Sequence, residues 1–213
     1  GVDTNRLFFG TDVHGSENCF LKFLNSPRLY KADIVILGGD LAGKTLVPIV
    51  RGRDGRYQAQ FLGRVLTLTS EKEVEVLLVI VTSEGTVVMV TDSFEMLSCA
   101  WINPTPWKTH RECSEDELYK RLRSLTIKVV DVRRCIFNTH APPIASGLDT
   151  CQEVDEDLKP VFRHGHPAMK DCGSIAVRRV IEETQPLLGL HGHIHESRGV
   201  ASLGRTLCLN PGS

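Results

Sequence analysis

The sequence predicts an α/β fold, and three observations predict it. Five short apolar runs each end in Gly, Asp, Asn or His, three stretches with apolar residues at helical spacing each begin at a Ser, and the two kinds of segment are interspersed along the chain. The runs are Leu7–Gly10 into TDVHG, Ile34–Leu37 into GGDLAG, residues 135–137 into NTHAPP, residues 186–190 into HGHIHES, and residues 207–209 into NPGS. They are too short for helices, and their Val, Ile, Leu and Phe content suits buried strands. Polar groups just beyond strand C-termini stand where open α/β sheets build their sites.

Ser16 caps a helix expected to run through Asn25, with Phe20, Leu21 and Leu24 at helical spacing. Ser114 opens SEDELYKRLRSL, where Glu117 completes a capping box and Leu118, Leu122 and Leu125 form one face. Ser174 opens SIAVRRVIEE, with Ile175, Val177, Val180 and Ile181 apolar. From Lys44 to Gly63 the pattern is a hairpin turning at Asp54-Gly55. The stretch SEKEVEVLLVIVTSEGTVVMV starts as a charged helix and changes abruptly to strand-like residues near 75–82. That passage is either an ordinary helix-to-strand transition or a join from which a segment has been left out. No repeat, low-complexity stretch or linker divides the chain, so one domain over residues 1–213 is expected.

Composition narrows the function classes. The chain is 41% hydrophobic, enough to bury a sizeable core, and its 25 Lys plus Arg nearly balance 26 Asp plus Glu. That balance argues against gripping nucleic acid or an anionic membrane through bulk charge. It leaves a small phosphate substrate open, since a bound cation supplies charge that composition does not count. The longest apolar runs are broken by charge or Gly, so no membrane span is expected, and GVDTNRLFFG lacks a signal-peptide core. A cytoplasmic protein is the default. The cysteines at 19, 99, 113, 135, 151, 172 and 208 are odd in number, irregular in spacing and without a C-x-x-C pair. They read as reduced thiols rather than a disulfide framework.

Four motifs carry chemistry. In Asp12-Val13-His14 the residues two apart project to one side, giving a carboxylate and an imidazole for a divalent ion; the bland alternative is an Asp capping the helix at Ser16. Asp40 ends a very apolar run, where burial is costly unless the acid is paired or metal-bound. Gly38 and Gly39 before it let the backbone turn and leave room, although a tight turn with a solvated Asp would look the same. His191-Gly192-His193-Ile194-His195 is the sharpest signal: His193 and His195 can project together, Gly192 permits an unusual backbone path, and His191 is structural or supports the ligands. His140 in NTHAPP gains weight by sharing the same strand-then-ligand arrangement. His164-Gly165-His166 reads as a solvated loop or a lining of the substrate entrance, and His110 as surface.

In order, D-x-H, G-D, H and G-H-x-H resemble the calcineurin-like metallophosphoesterase family over residues 9–213, and NPGS after G-H-x-H is similar to its small bacterial and archaeal phosphodiesterase-type members. NPTPW and GHIHES are also similar to a subset of these. The resemblance implies a four-layer αββα sandwich of two mixed β-sheets flanked by helices, with two divalent metal ions (Mn2+, Fe2+/Fe3+ or Zn2+) at the strand ends. It implies that Asp12, His14, Asp40 and His195 hold one ion and that Asp40, His140 and His193 hold the other, with Asp40 bridging. It further implies hydrolysis of a phosphodiester or phosphomonoester substrate by a hydroxide shared between the ions, which needs no nucleophilic side chain. The family's G-N-H or G-N-D motif, whose Asn binds the second metal, has no counterpart here. Asn103 and Asn138 are the nearest asparagines, and the passage at 75–82 is where the motif would be expected. The alternative is a catalytically weak or inactive scaffold or binding module of the same fold; a mononuclear zinc hydrolase of unrelated fold has less support.

Overall fold

In the computed structural model, which describes residues 5–40, 49–51, 54–61, 64–70 and 85–212, the apolar runs become strands. The expected passage at 75–82 lies outside the described residues. Strands β1 (Leu7–Gly10) and β2 (Ile34–Leu37) pair in parallel, from Leu7 opposite Ile34 to Gly10 opposite Leu37. Helix α1 (Glu17–Tyr30) connects them. Its N-cap is Ser16, whose hydroxyl accepts from the Cys19 N–H at 3.3 Å, so Asp12 is not the cap. The helix continues past the expected end at Asn25 and through Pro27. Pro27 has no N–H for the Phe23 carbonyl, and the Ser26 hydroxyl donates to that carbonyl at 2.6 Å instead. The helix stops at Lys31, in the left-handed region with φ 53°.

Strands β3 (Ile49–Arg51), β4 (Tyr57–Phe61) and β5 (Arg64–Leu68) form an antiparallel sheet whose first turn contains Asp54-Gly55, as the sequence predicts. The largest sheet is mixed. It contains β6 (Val87–Thr91), β7 (Phe94–Cys99), β8 (Cys135–Thr139), β13 (Leu188–Leu190), β14 (Gly199–Leu203) and β15 (Thr206–Asn210), in the order β14-β15-β13-β8-β7-β6. Its inner strands β7, β8, β13 and β15 run parallel. Strand β7, FEMLSC, is not among the five expected strands, because two polar residues interrupt its apolar pattern. Between β8 and helix α3 (Ile175–Thr184) the chain makes an excursion built on β9 (Thr150–Gln152) paired with β12 (Met169–Asp171). Within it, β10 (Phe162–Arg163) and β11 (His166–Pro167) form a hairpin. The expected loop at His164-Gly165 is the turn of this hairpin, with φ 52° and 80°, and both histidines there are exposed.

Strand alternation sends successive residues to opposite faces of the large sheet. Leu97, Phe137 and Cys208 pack with Leu118, Leu122 and Leu125 of α2 (Glu115–Thr126) and with Val177, Val180 and Ile181 of α3. Met96, Ile136 and Leu190 pack with Ile36, Leu7 and Phe9 of the β1–β2 pair. Phe8 turns the other way, stacking on Tyr30 of α1 at 5.2 Å between ring centroids. Each fully buried aliphatic or aromatic side chain contributes about 1.5–3 kcal/mol, and truncating the fully buried Leu97 to Ala would cost about 2–5 kcal/mol.

The two helices on one face are also tied end to end. The Glu115 carboxylate, at the start of α2, accepts from the Ser174 hydroxyl at 2.7 Å and from the Ala176 and Ile175 N–H groups at 2.8 and 3.0 Å. It therefore serves as a second cap for α3, beside the Ser174 hydroxyl that accepts from Val177 N–H. In the capping box expected at Ser114, the Ser accepts from Glu117 N–H at 3.3 Å, but the Glu117 carboxylate pairs forward with Arg121 at 3.1 Å.

One expectation is overturned: Cys151 and Cys172 form a disulfide. Pairing of β9 with β12 places Cys151 opposite Lys170 and brings Cys172 alongside, although the two are 21 residues apart in sequence. Cys19, Cys99, Cys113, Cys135 and Cys208 are free. Among the described residues, no helix is long and apolar enough to cross a membrane.

Candidate metal centre

Asp12 and His14 follow β1, Asp40 follows β2, His140 follows β8, and His193 and His195 follow β13. The packing of the β1–β2 pair on the large sheet brings these four strand ends together. Backbone bonds fix the loops on one another: Asp12 N–H donates to Gly39 O at 3.2 Å, His14 N–H to Asp40 O at 2.9 Å, and Gly192 N–H to His140 O at 3.0 Å. Asp12, His14, Asp40 and His193 have φ of 55°, 50°, 52° and 67°. For a non-glycine residue this left-handed conformation costs on the order of 1–2 kcal/mol. Such residues persist where the surroundings over-determine them, and they cluster at functional sites.

The donor atoms are close. His14 Nε2 and His195 Nε2 lie 3.1 Å apart, and Asp12 Oδ1 is 3.1 Å from His195 Nε2 and 3.8 Å from His14 Nε2. His140 Nε2 lies 3.5 Å from Asp40 Oδ2 and 3.8 Å from Asp12 Oδ1, and Asp40 Oδ2 is 3.9 Å from His14 Nδ1. Around a tetrahedral or octahedral ion with bonds near 2.0–2.2 Å, neighbouring donors stand roughly 2.8–3.6 Å apart. Two sets approach that spacing: Asp12 with His14 and His195, and Asp12 with Asp40 and His140. The His193 ring stacks obliquely beside His140, 5.3 Å between centroids, and its backbone N–H donates to Asp12 Oδ2 at 3.2 Å. All six side chains expected at the site are thus brought together. Asp40 lies between His14 and His140, while Asp12 Oδ1 is common to both sets.

The glycines in these motifs make room. A Cβ on Gly39 would stand 2.5 Å from His140 Nδ1, and one on Gly192 would collide with Asp12 Oδ2 and Thr11 Oγ1. Gly38 would strike the Phe9 ring at 2.9 Å. None of the three has the positive φ that only glycine adopts readily. Gly192 is therefore required for close approach, and the unusual backbone expected there belongs to His193.

The site grades from a buried floor to an open rim. The side chains of Asp12 and His140 are 1% and 4% exposed, against 42% for His14, 40% for His195 and 49% for Asp40. The His140 ring holds the Asp40 carboxyl below its usual range, outweighing burial, which acts in the opposite direction. Burial, aided by repulsion from His140, lowers the His193 pKa to about 4. Asp40 is thus ionised and His193 is a neutral imidazole near neutral pH, the protonation states in which these groups bind metals. Neither ring nitrogen of His140 has a well-directed hydrogen-bond partner, although both are buried. An unpartnered nitrogen beside two carboxylates is costly in isolation, and a cation between them would satisfy it. The residues present therefore fit a metal.

Of the two asparagines the sequence offers as candidates, Asn103 donates from Nδ2 to Cys172 O at 3.1 Å while its Oδ1 is buried without a partner, and Asn138 donates from Nδ2 to Ser98 Oγ at 3.3 Å. Sequence reasoning missed two supports of the centre. Asn210, in NPGS, donates from Nδ2 to Ile194 O at 2.8 Å and Leu148 O at 3.1 Å, tying the histidine loop to the excursion. Thr139 contacts His191, and its only sequence signal was its place beside His140.

No protein-family model matches the chain. Over 111 residues it is 30% identical to the uncharacterized protein MJ1162 of Methanocaldococcus jannaschii, a match covering 51% of this chain and 44% of that protein. The chain thus spans under half the length of this curated relative. Its fold is similar to the crystal structure of TT1561 of Thermus thermophilus, with a TM-score of 0.59 and 17% identity over 99% of this chain and 90% of that one. A second crystal structure has the same TM-score at 12% identity, covering 99% and 91% of the two chains. At these identities the likeness is one of fold.

Proposed function

We propose that the chain is a dinuclear-metal-dependent phosphoesterase of the calcineurin-like type, acting on a phosphodiester or phosphomonoester. One observation carries the reading: six Asp and His side chains from four strand ends converge, four of them on left-handed backbone, around a buried imidazole without a well-directed hydrogen bond. The packing order supports the family's αββα layering: α1, the β1–β2 pair, the six-stranded sheet, then α2 and α3.

In this reading, Asp12, His14, Asp40 and His195 would hold one divalent ion, and Asp40, His140 and His193 the other. Bound there, the ions supply Lewis acidity that activates water and offsets charge on the phosphoryl oxygens. The chain contributes fixed geometry. Asp12 Oδ2 is held by the His193 N–H, which leaves Oδ1 facing His14, His140 and His195. Neutral His193 keeps its ring lone pair available, and ionised Asp40 supplies negative charge. The half-exposed His14, His195 and Asp40 form the rim at which a phosphoester would enter.

The test is hydrolysis of bis-p-nitrophenyl phosphate or p-nitrophenyl phosphate with added Mn2+, lost with chelator. Asp40→Asn should lower the bound-metal content and reduce turnover by at least about 100-fold, beyond the upper range for loss of a residue that only supports a ligand. No turnover with Mn2+, Fe2+ or Zn2+ would remove the enzyme reading. The lack of a G-N-H or G-N-D counterpart in the sequence favours a second reading, a scaffold of the same fold. Elemental analysis separates the two, since a scaffold should purify with little bound metal.

A further inference from the structure

We propose that His191, the first histidine of HGHIH, is a positioning residue that latches the loop carrying His140 to the loop carrying His193. Its functional meaning rests on the dinuclear reading above; the latch itself is a property of the chain alone.

His191 is fully buried, an expensive place for an imidazole that does nothing. Its Nδ1 lies 3.1 Å from the Thr139 carbonyl oxygen and 3.0 Å from the Thr139 hydroxyl. A carbonyl can only accept, so these partners assign the hydrogen to Nδ1. The Thr139 hydroxyl is then free to donate toward Ala141 O at 3.5 Å. Nε2 is left as a bare lone pair without a partner, facing Gly189. A Cβ on Gly189 would stand 2.6 Å from that nitrogen and 2.8 Å from Cys208 Sγ, so the ring fills its space.

Each end of this contact adjoins a candidate ligand. Thr139 precedes His140, and His191 stands two residues before His193. The ladder between β8 and β13 ends at Leu190 opposite Asn138, one residue short of both. Beyond it, His191 to Thr139 and Gly192 N–H to His140 O cross-link the two loops twice. Without the side-chain link, one described backbone bond, Gly192 N–H to His140 O, would be left joining these two loops directly. His195 is held separately, through Asn210 on Ile194 O and through Asp12. Loss of the latch should therefore fall on the His140/His193 half of the centre and spare the His14/His195 half.

The test compares His191→Leu, which removes the donor, with His191→Asn, whose amide can place an N–H near the Nδ1 position, and His191→Gln, whose amide reaches toward Nε2. Mn2+ is titrated calorimetrically into each metal-free protein, and hydrogen exchange at the Gly192 amide is measured without metal. The Leu and Gln variants should weaken one of the two Mn2+ steps by about 10- to 100-fold and leave the other nearly unchanged. Gly192 exchange should accelerate in both, and Asn should restore both readouts toward wild type. Wild-type Mn2+ binding and Gly192 protection in the Leu or Gln variant would overturn the proposal. Equal weakening of both steps without rescue by Asn would also overturn it, leaving His191 an ordinary core residue. If the wild type binds none of Mn2+, Fe2+ and Zn2+, the dinuclear reading fails, and Gly192 exchange alone decides the latch.

Discussion

Replacing Gly39 with Ala places one methyl group against the floor of the centre. Its Cβ would stand 2.5 Å from His140 Nδ1, 2.6 Å from Cγ and 3.0 Å from Cβ, where ordinary contact begins at 3.4 Å. The ring must therefore retreat by about 0.9 Å, or the loop must lift. Retreat is restricted, because His140 N–H is bonded to Cys99 O at 3.0 Å and its carbonyl accepts from Gly192. Overpacking of this kind costs about 1–3 kcal/mol, and each kcal/mol lowers the melting temperature of a chain this size by about 2–4 °C. A misplacement near 1 Å costs about 100-fold at a reacting centre. An equal loss of Mn2+ affinity would remove about 2.7 kcal/mol of ligand-induced stabilisation. Thermal melts of Gly39→Ala in chelator and in excess Mn2+ separate the two effects. Gly199→Ala, whose nearest contact is the flexible Leu148 Cδ2 at 3.2 Å, serves as the control. A Gly39→Ala protein that melts like wild type and gains as much from Mn2+ would refute the argument that this glycine makes room for a ligand.

Glu115→Gln should lower stability by about 1–2 kcal/mol, read as a lower urea midpoint, because a charged acceptor of three hydrogen bonds at the α3 N-terminus is lost. Peptide mapping without reductant should recover Cys151 linked to Cys172, and Cys151→Ser should cost about 3 kcal/mol, the loop-closure value for a bridge of this span. Burial opposes ionisation of Glu112, but hydrogen bonds from Thr105 and Thr109 outweigh it and lower its pKa. A depressed carboxyl stabilises the folded state above its unfolded pKa, and that contribution is lost as pH falls through the folded value. The hydrogen bonds that hold residues 105–112 should therefore contribute progressively less to stability as pH falls below 4.5. Carboxyl NMR showing Glu112 titrating at or above 4.5 would contradict this.

The strands that carry the centre were readable because each apolar run stops at a residue able to bind a cation or at the glycines beside one, and β1 and β2 have the predicted bounds. Strand β7 was not, since Glu95 and Ser98 break its pattern; both are buried through partners distant in sequence, Val130 and Asn138. The extension of α1 through Pro27 depends on one Ser26 hydroxyl, which a rule about proline does not foresee. The ligand candidates were legible as types at strand ends, but their left-handed backbones and the clash geometry of Gly39 and Gly192 exist only after the sheets dock. The disulfide was hidden because its register is set by β9 and β12, too short to announce themselves.

His14 and His195 touch across 181 residues of chain, and Asp12 and His195 across 183. A donor set divided in this way has no counterpart in the unfolded chain or in either half alone. Any cation it captures therefore acts as a reporter of completed assembly, and its binding energy adds to the native side of the folding equilibrium in proportion to its preference for the assembled set over the unfolded histidines. Early collapse of the large sheet would give a core without the site, and the join between the first strands and the last would be the step that a metal ion makes hard to reverse.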